Sequence, residues 1–327
     1  MRPGVRYACV GDGLCCTDAH VLGPVTRVEA ARISAVRPGA VMRNRQLAIA
    51  ALRTENGGCV FLGEGGCSLH RDRGAAFKPA TCRHFPIGLV ATPSGGRVTT
   101  EHRCPCRTMG ERPLLDASEA ERALTEGGER LSAHARVPAT IALEKRRRVS
   151  FARYEALEAE LLGALAAGRS IEDALAVEAF PPLADVTWAD VGHHLRGRLD
   201  GTASTTALAW AGDAVLALVA STRVGTRDRP WKPAFDRAEA RSPESDPEAI
   251  FADWVADEIW SLSWQPIATF SVARSALASR LAIARWVSAR LRSEGTRPDR
   301  AAAEGVLVGE MAGAATLWDS VLAAIVE

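Results

Sequence analysis

Residues 7–16 read Tyr7-Ala8-Cys9-Val10-Gly11-Asp12-Gly13-Leu14-Cys15-Cys16. Residues 59–84 add Cys59-Val60-Phe61-Leu62, Gly66-Cys67-Ser68-Leu69-His70 and Cys82-Arg83-His84-Phe85-Pro86. With Cys104-Pro105-Cys106 the set is complete: all eight cysteines of the 327-residue chain lie between Cys9 and Cys106. Independent scatter would place eight residues in the first third of a chain about once in several thousand trials, so the crowding has a cause. All eight tryptophans lie beyond Thr187. Charge divides the chain in the same way. Up to Gly110, 15 Lys+Arg face 7 Asp+Glu, a net of +8; from Glu111 on, 25 face 32, a net of −7. We place a boundary near Arg112-Pro113, giving a Cys-rich region 1–112 and a helical domain 113–327.

The first region reads as short elements joined by glycine turns. Val60–Leu62 and Cys67–His70, separated by Gly63-Glu64-Gly65-Gly66, read as a hairpin; Leu89–Ala91 and Arg97–Thr100, around Pro93-Ser94-Gly95-Gly96, read as a second. Apolar spacing from Val25 to Leu52 suggests one or two short helices broken at Pro38-Gly39. Beyond residue 112 the periodicity turns helical. Asp116-Ala117-Ser118-Glu119 opens one helix, Phe151 to Ala167 forms another ended by Gly168, and Ser271 to Leu291 is a long Ala/Arg helix. Phe251, Trp254, Val255, Ile259 and Leu262 share one helix face, and Trp260 and Trp264 another; Thr222 to Asp246 reads as a long loop. The expected fold class is α+β: a Cys-rich metal-binding region with short hairpins, packed on a predominantly α-helical body.

Three readings of the cysteines compete. Disulfides need an oxidising compartment, and Met1 to Cys9 has no apolar run of signal-peptide length. Inert thiols belong in apolar helical stretches, whereas these sit beside Gly, Asp, Pro and Arg. Metal binding explains both placement and neighbours, because thiolates suit zinc or iron–sulfur clusters. Eight thiols exceed the four that one such site needs, so there are two sites or some spectators. Cys104-Pro105-Cys106 leaves little room for two ligands on one metal, which makes one of that pair spare. His70, His84 and His102 each lie within three residues of a cysteine and are candidate replacements.

Tyr7-x-Cys9-x2-Asp12-Gly13-x-Cys15-Cys16 resembles the opening motif of the bacterial cysteine-cluster proteins (the CxxCxxCC pattern) described as zinc- or iron-chelating domains. Cys59 to Pro86 resembles their second motif. The x14 gap from Cys67 to Cys82 and the His102-Arg103-Cys104-Pro105 segment look more like the flagellin lysine-N-methylase branch; the layout from Phe251 to Leu317 is weakly similar. The motifs cover about a third of the chain. The resemblance implies Cys9, Cys15, Cys16, Cys59, Cys67, Cys82 and Cys104 as metal ligands, with zinc or iron bound, a four-iron four-sulfur cluster among the options. It also implies transfer of a methyl group from S-adenosylmethionine to lysine amines of a protein substrate such as flagellin. Asp12 stands where the family's second Cys is usual, as a carboxylate ligand or as a turn residue. Cys106 has no counterpart. Arg83, following a ligand Cys, could meet cluster sulfur or an anionic substrate, or be a surface residue.

The residues themselves carry no methyl-donor signature. No glycine-rich loop sits between a strand and a helix, and no Cys-x3-Cys-x2-Cys run occurs. The competing expectation is a non-catalytic domain whose structural metal presents a protein-interaction surface. A formal charge of +1 argues for neither nucleic acid nor membrane. Lys145-Arg146-Arg147-Arg148 reads as a solvated helix end, and the tryptophans read as core. Thr206 to Ser221 is too short for a span and holds Asp213. A cytoplasmic protein is expected, its opposite-charged parts packed together.

Overall fold

The computed structural model describes the chain apart from residues 18, 45–47, 64–65, 126–127, 129–130 and 198–202, and the side chains of 203–205. The fold is α+β, about half helix, with small sheets confined to residues 41–150, antiparallel except where Ala135–Arg136 runs parallel to Ile87–Thr92. The body is a set of helices, Phe151–Ala166, Trp188–Arg196, Ala203–Val219, Pro247–Ser261, Phe270–Ser293, Pro298–Gly313 and Thr316–Ala324. Helices Phe270–Ser293 and Pro298–Gly313 form a hairpin at its centre. Their backbones approach so closely at Gly305 that an added Cβ would lie 2.3 Å from the Ala284 carbonyl oxygen.

Two large cores result. One surrounds Trp210, Trp231 and Trp318; the other surrounds Tyr154, Trp254 and Phe270. Both take in residues from before residue 112: Leu14, Ala19 and Met109 in the first, Val90 in the second. A smaller cluster of Ile33, Leu52, Phe61 and Leu69 lies under the cysteine segments and includes Cys59. No single helix among the described residues is long and apolar enough to cross a membrane. The apolar pair Pro298–Gly313 and Thr316–Ala324 bends by 73° at its junction.

Several local expectations change. After helix Arg27–Val36 the chain does not resume a helix past Gly39; strands Val41–Asn44 and Ile49–Leu52 pair instead, with Leu47 outside the described residues. Ala50 and Leu52 bond back to Val25 and Leu22, so the backbone groups here are satisfied between segments. The expected first hairpin is narrower. Leu62–Gly63 pairs with Gly66–Cys67, Glu64 and Gly65 lie outside the described residues, and Ser68 already opens a helix. Lys145-Arg146 turns a second-region hairpin, Thr140–Glu144 with Arg147–Ser150, rather than ending a helix. The long loop contains helix Lys232–Glu239. Trp260 and Trp264 do not share a helix, because Leu262 takes a left-handed conformation and closes Pro247–Ser261. The second hairpin, Ile87–Thr92 with Gly95–Thr100, lies where the sequence puts it.

Opposite charge does join the two regions. Arg2 and Arg107 pair with Asp253 and Asp257, and Arg97 pairs with Glu155 and Glu158.

Candidate metal centre

The Cys9–Cys16 loop turns at Gly11 and Gly13, both in the left-handed region that glycine enters without strain. Gly13 then caps a single 3-10 turn, Leu14–Cys16, which sets Cys15 and Cys16 side by side with sulfurs 3.9 Å apart. Asp12 is buried and divides its carboxylate. Oδ1 accepts the Leu14 N–H at 2.8 Å, fixing the turn, and Oδ2 accepts from the Cys106 thiol at 2.6 Å. Two arginines of the helical body hold the loop from outside: Arg237 donates to the Asp12 carbonyl at 2.6 Å and Arg241 to the Val10 carbonyl.

Cys104 and Cys106 both face this carboxylate. Cys104 ends an extended segment and Pro105 starts a helical turn, so the chain changes direction between the two thiols. The ligand atoms of Asp12, Cys104 and Cys106 all lie within 4.8 Å of one another, and all three residues are buried. The turn at Pro105 thus lets both thiols of the pair face one carboxylate. Cys106 also accepts the Val10 N–H at 3.1 Å and is hydrogen-bonded to Cys9, bringing the exposed Cys9 to the same group.

A second group forms where the other segments meet. Thr17 bridges to Gly58, Thr54 pairs with Cys59, and Leu62 pairs with Cys67, which draws Cys16, Cys59 and Cys67 together. Cys82 arrives on the short helix Ala80–His84. Its start is fixed by Glu29, which accepts the Ala80 N–H at 2.7 Å while closing the capping box with Thr26. Cys16, Cys59, Cys67 and Cys82 line one cavity of about 10 Å³, with Lys78 and Pro79 on its rim. Cys15, beside Cys16, acts electrostatically on Cys59 and Cys82 in this group and on Cys104 in the other.

The electrostatics favour neutral thiols here unless a cation is bound. The Cys106 hydrogen bond and burial push the Cys9 thiol up, the Cys16 hydrogen bond and burial push Cys15 up, and burial takes Cys82 to about 12. Opposing charge is sparse: Lys78 acts on Cys82 and Cys15, and Arg37 on Cys59. Buried thiols beside a carboxylate are costly to ionise alone, and a metal ion supplies the missing positive charge. The donor set, soft sulfur with one carboxylate, suits zinc or iron.

The remaining candidates are placed elsewhere. Arg83 donates to the Lys78 and Ala76 carbonyls and so braces the loop before Cys82. His70 is exposed, His84 lines a neighbouring cleft, and His102 Nε2 is 2.9 Å from Asp257 Oδ2 inside the ionic network. Sequence reasoning found no counterpart for Cys106 and left Asp12 as ligand or turn residue; Asp12 does fix the turn and also meets Cys106, for which the one available signal was the proline between two cysteines. Against family models, curated proteins and solved structures, the chain finds no match.

Proposed function

We propose that this chain binds metal through two adjacent thiolate groups, Cys16/Cys59/Cys67/Cys82 and Cys9/Asp12/Cys104/Cys106, with Cys15 beside Cys16. The observation that carries the reading is the meeting of Cys104 and Cys106 with the buried Asp12 carboxylate from segments more than 90 residues apart, beside a cavity lined by Cys16, Cys59, Cys67 and Cys82. The bound group would be zinc or an iron–sulfur cluster, in a reducing compartment such as the cytoplasm, where free thiols persist. A zinc ion would supply structural cross-linking or Lewis acidity, and a cluster would supply electron transfer or methyl-group chemistry.

The finer reading is an S-adenosylmethionine-dependent protein lysine N-methyltransferase acting on a flagellin-like substrate. Its support is the motif resemblance from Tyr7 to Pro105. The second reading is a non-catalytic domain stapled by structural metal. It is favoured by the way Arg237, Arg241 and the Arg107–Asp257 pair tie the cysteine segments to the helical body.

Metal analysis with an absorption spectrum on protein purified without oxygen tests the first claim. Iron and sulfide with a band near roughly 400 nm indicate a cluster, colourless zinc indicates structural sites, and no metal overturns the proposal. Labelled S-adenosylmethionine retained by the holoprotein supports the methyl-transfer reading; its absence leaves the structural one.

A further inference from the structure

Three donors of the second thiol group are set in place by the fold. The ligand atoms of Asp12, Cys104 and Cys106 lie within 4.8 Å of one another, and the residues are 2%, 4% and 1% exposed. Each is held from behind. Asp12 is fixed by the Leu14 N–H and by Arg237 on its carbonyl, and Cys106 by the Val10 N–H. The Cys104 carbonyl accepts the Arg107 N–H at 2.8 Å. Donors ordered in advance lower the cost of binding.

Cys9 differs from all three. It is the one exposed cysteine of the eight, and among the described residues it stands outside the set of mutually close ligand atoms. Its thiol meets the Cys106 thiol and the Gly11 N–H, whereas its own N–H and carbonyl take no hydrogen bond among the described residues. The chain is pinned on either side, by the Tyr7 N–H on the Pro113 carbonyl at 3.1 Å and by Arg241 on the Val10 carbonyl. The Cys9 side chain is therefore free to turn outward while the loop stays. Three fixed protein donors and a replaceable fourth are the arrangement of metal sites that take an outside ligand; structural sites are closed by four.

Charge and softness select what enters. Arg237 and Arg241 stand over the loop, both exposed, and neither has an ion-pair partner among the described residues. Arg241 lies against the carbonyls of Val10 and Gly11, the two residues after Cys9. Sulfur is the donor that replaces sulfur on a thiolate-bound zinc or iron, and an exposed guanidinium beside it favours a carboxylate.

We propose that Cys9 is the displaceable donor of the Asp12/Cys104/Cys106 group, and that a small thiol bearing a carboxylate takes its place, with the carboxylate received by Arg241. This rests on the metal reading and adds which donor is exchangeable and for what. The exchange balances, because the incoming thiol gives up the proton that Cys9 takes on leaving.

The test is calorimetric titration of the full-length holoprotein, without oxygen, with mercaptoacetate, 2-mercaptoethanol and acetate, and with metal content per chain measured before and after. Saturable binding of mercaptoacetate with the metal retained is expected, 2-mercaptoethanol binding about tenfold more weakly and acetate not at all. Cys9→Ala should keep the metal that Cys104→Ala loses, and should bind mercaptoacetate about tenfold or more tightly than the unsubstituted chain, since no tethered thiol competes. Arg241→Gln should bring mercaptoacetate down to the level of 2-mercaptoethanol and leave the neutral thiol unchanged. Equal metal loss from Cys9→Ala and Cys104→Ala, no thiol binding to a metal-loaded chain, acetate binding as well as mercaptoacetate, stripping of the metal by the thiol, or indifference to Arg241→Gln would each overturn the proposal and leave the metal reading standing. A chain that carries no metal removes both.

Discussion

The carboxylate of Asp12 lies 2.6 Å from the thiol of Cys106, 94 residues further along the chain. The contact places a carboxylate beside the thiols of Cys104 and Cys106. Asp12→Asn keeps an oxygen for the Leu14 N–H but removes the charge. It should lower metal affinity of the Cys104 group by about tenfold or more. Cys106→Ala should cost as much metal as Cys104→Ala, read by metal content per chain after dialysis. Full retention in Cys106→Ala would return that residue to spectator status.

The second thiol group predicts a different signature. Cys16 and Cys82 join segments that share little apolar core, the cluster around Phe61 and Leu69 being small. Metal-binding free energy is folding free energy in such a region. Cys16→Ala and Cys82→Ala should each lose metal and make residues 49–84 protease-sensitive, as chelator does in the unsubstituted protein. Cleavage mapped by mass spectrometry checks this; full metal content in both variants would dismiss the assignment.

How much of this was legible depended on the kind of signal. Strong periodicity gave the helices Phe151–Ala166 and Phe270–Ser293 almost to the residue, since burial of one face dictates spacing. The strand pair Val41–Asn44 with Ile49–Leu52 was not readable, because its order comes from Leu22 and Val25 pairing back to it. Composition pointed to a metal-type cluster, yet linear spacing could not show that Pro105 turns Cys106 toward Asp12. Glu310 carries no motif at all; only folding brings its carboxylate to Arg280 and the His102 N–H.

Gly305 sets the distance between the two central helices. Gly305→Ala would put a methyl group 2.3 Å from the Ala284 carbonyl oxygen, which backbone cannot yield without separating the pair. A loss of about 1–3 kcal/mol is expected, measured by urea denaturation, with metal content of the cysteine region unchanged. A neutral result would mean that the helices slide apart freely.

Asp257 anchors the Cys104–Cys106 segment to the body through Arg107, His102, Thr100 and Arg2. Burial alone would raise its carboxyl, but the Arg107 and His102 contacts hold it far below the ordinary carboxylate range. A depressed folded value contributes stability that is present above the unfolded value, about 3.9, and is lost as pH falls toward the folded one. Asp257→Asn leaves Arg107 and Arg2 short of charge in the interior, at a cost of about 3–5 kcal/mol near pH 7. The variant should also show a flatter fall in stability below pH 4 than the unsubstituted chain. Equal acid slopes would place the titration elsewhere.

Glu310 predicts the opposite pH behaviour. Its folded value, about 8, stands above the ordinary 4.5, so its neutral form is the one the fold accommodates. The corresponding stability is fully present below about 4.5 and is lost as pH rises through 8. Glu310→Gln mimics the neutral form at every pH. It should match the unsubstituted protein near pH 5 and exceed it near pH 9, by on the order of a few kcal/mol. Denaturation at both pH values reads the difference directly. If the variant gains nothing at pH 9, Glu310 already has its counter-charge, and the pH effect does not follow.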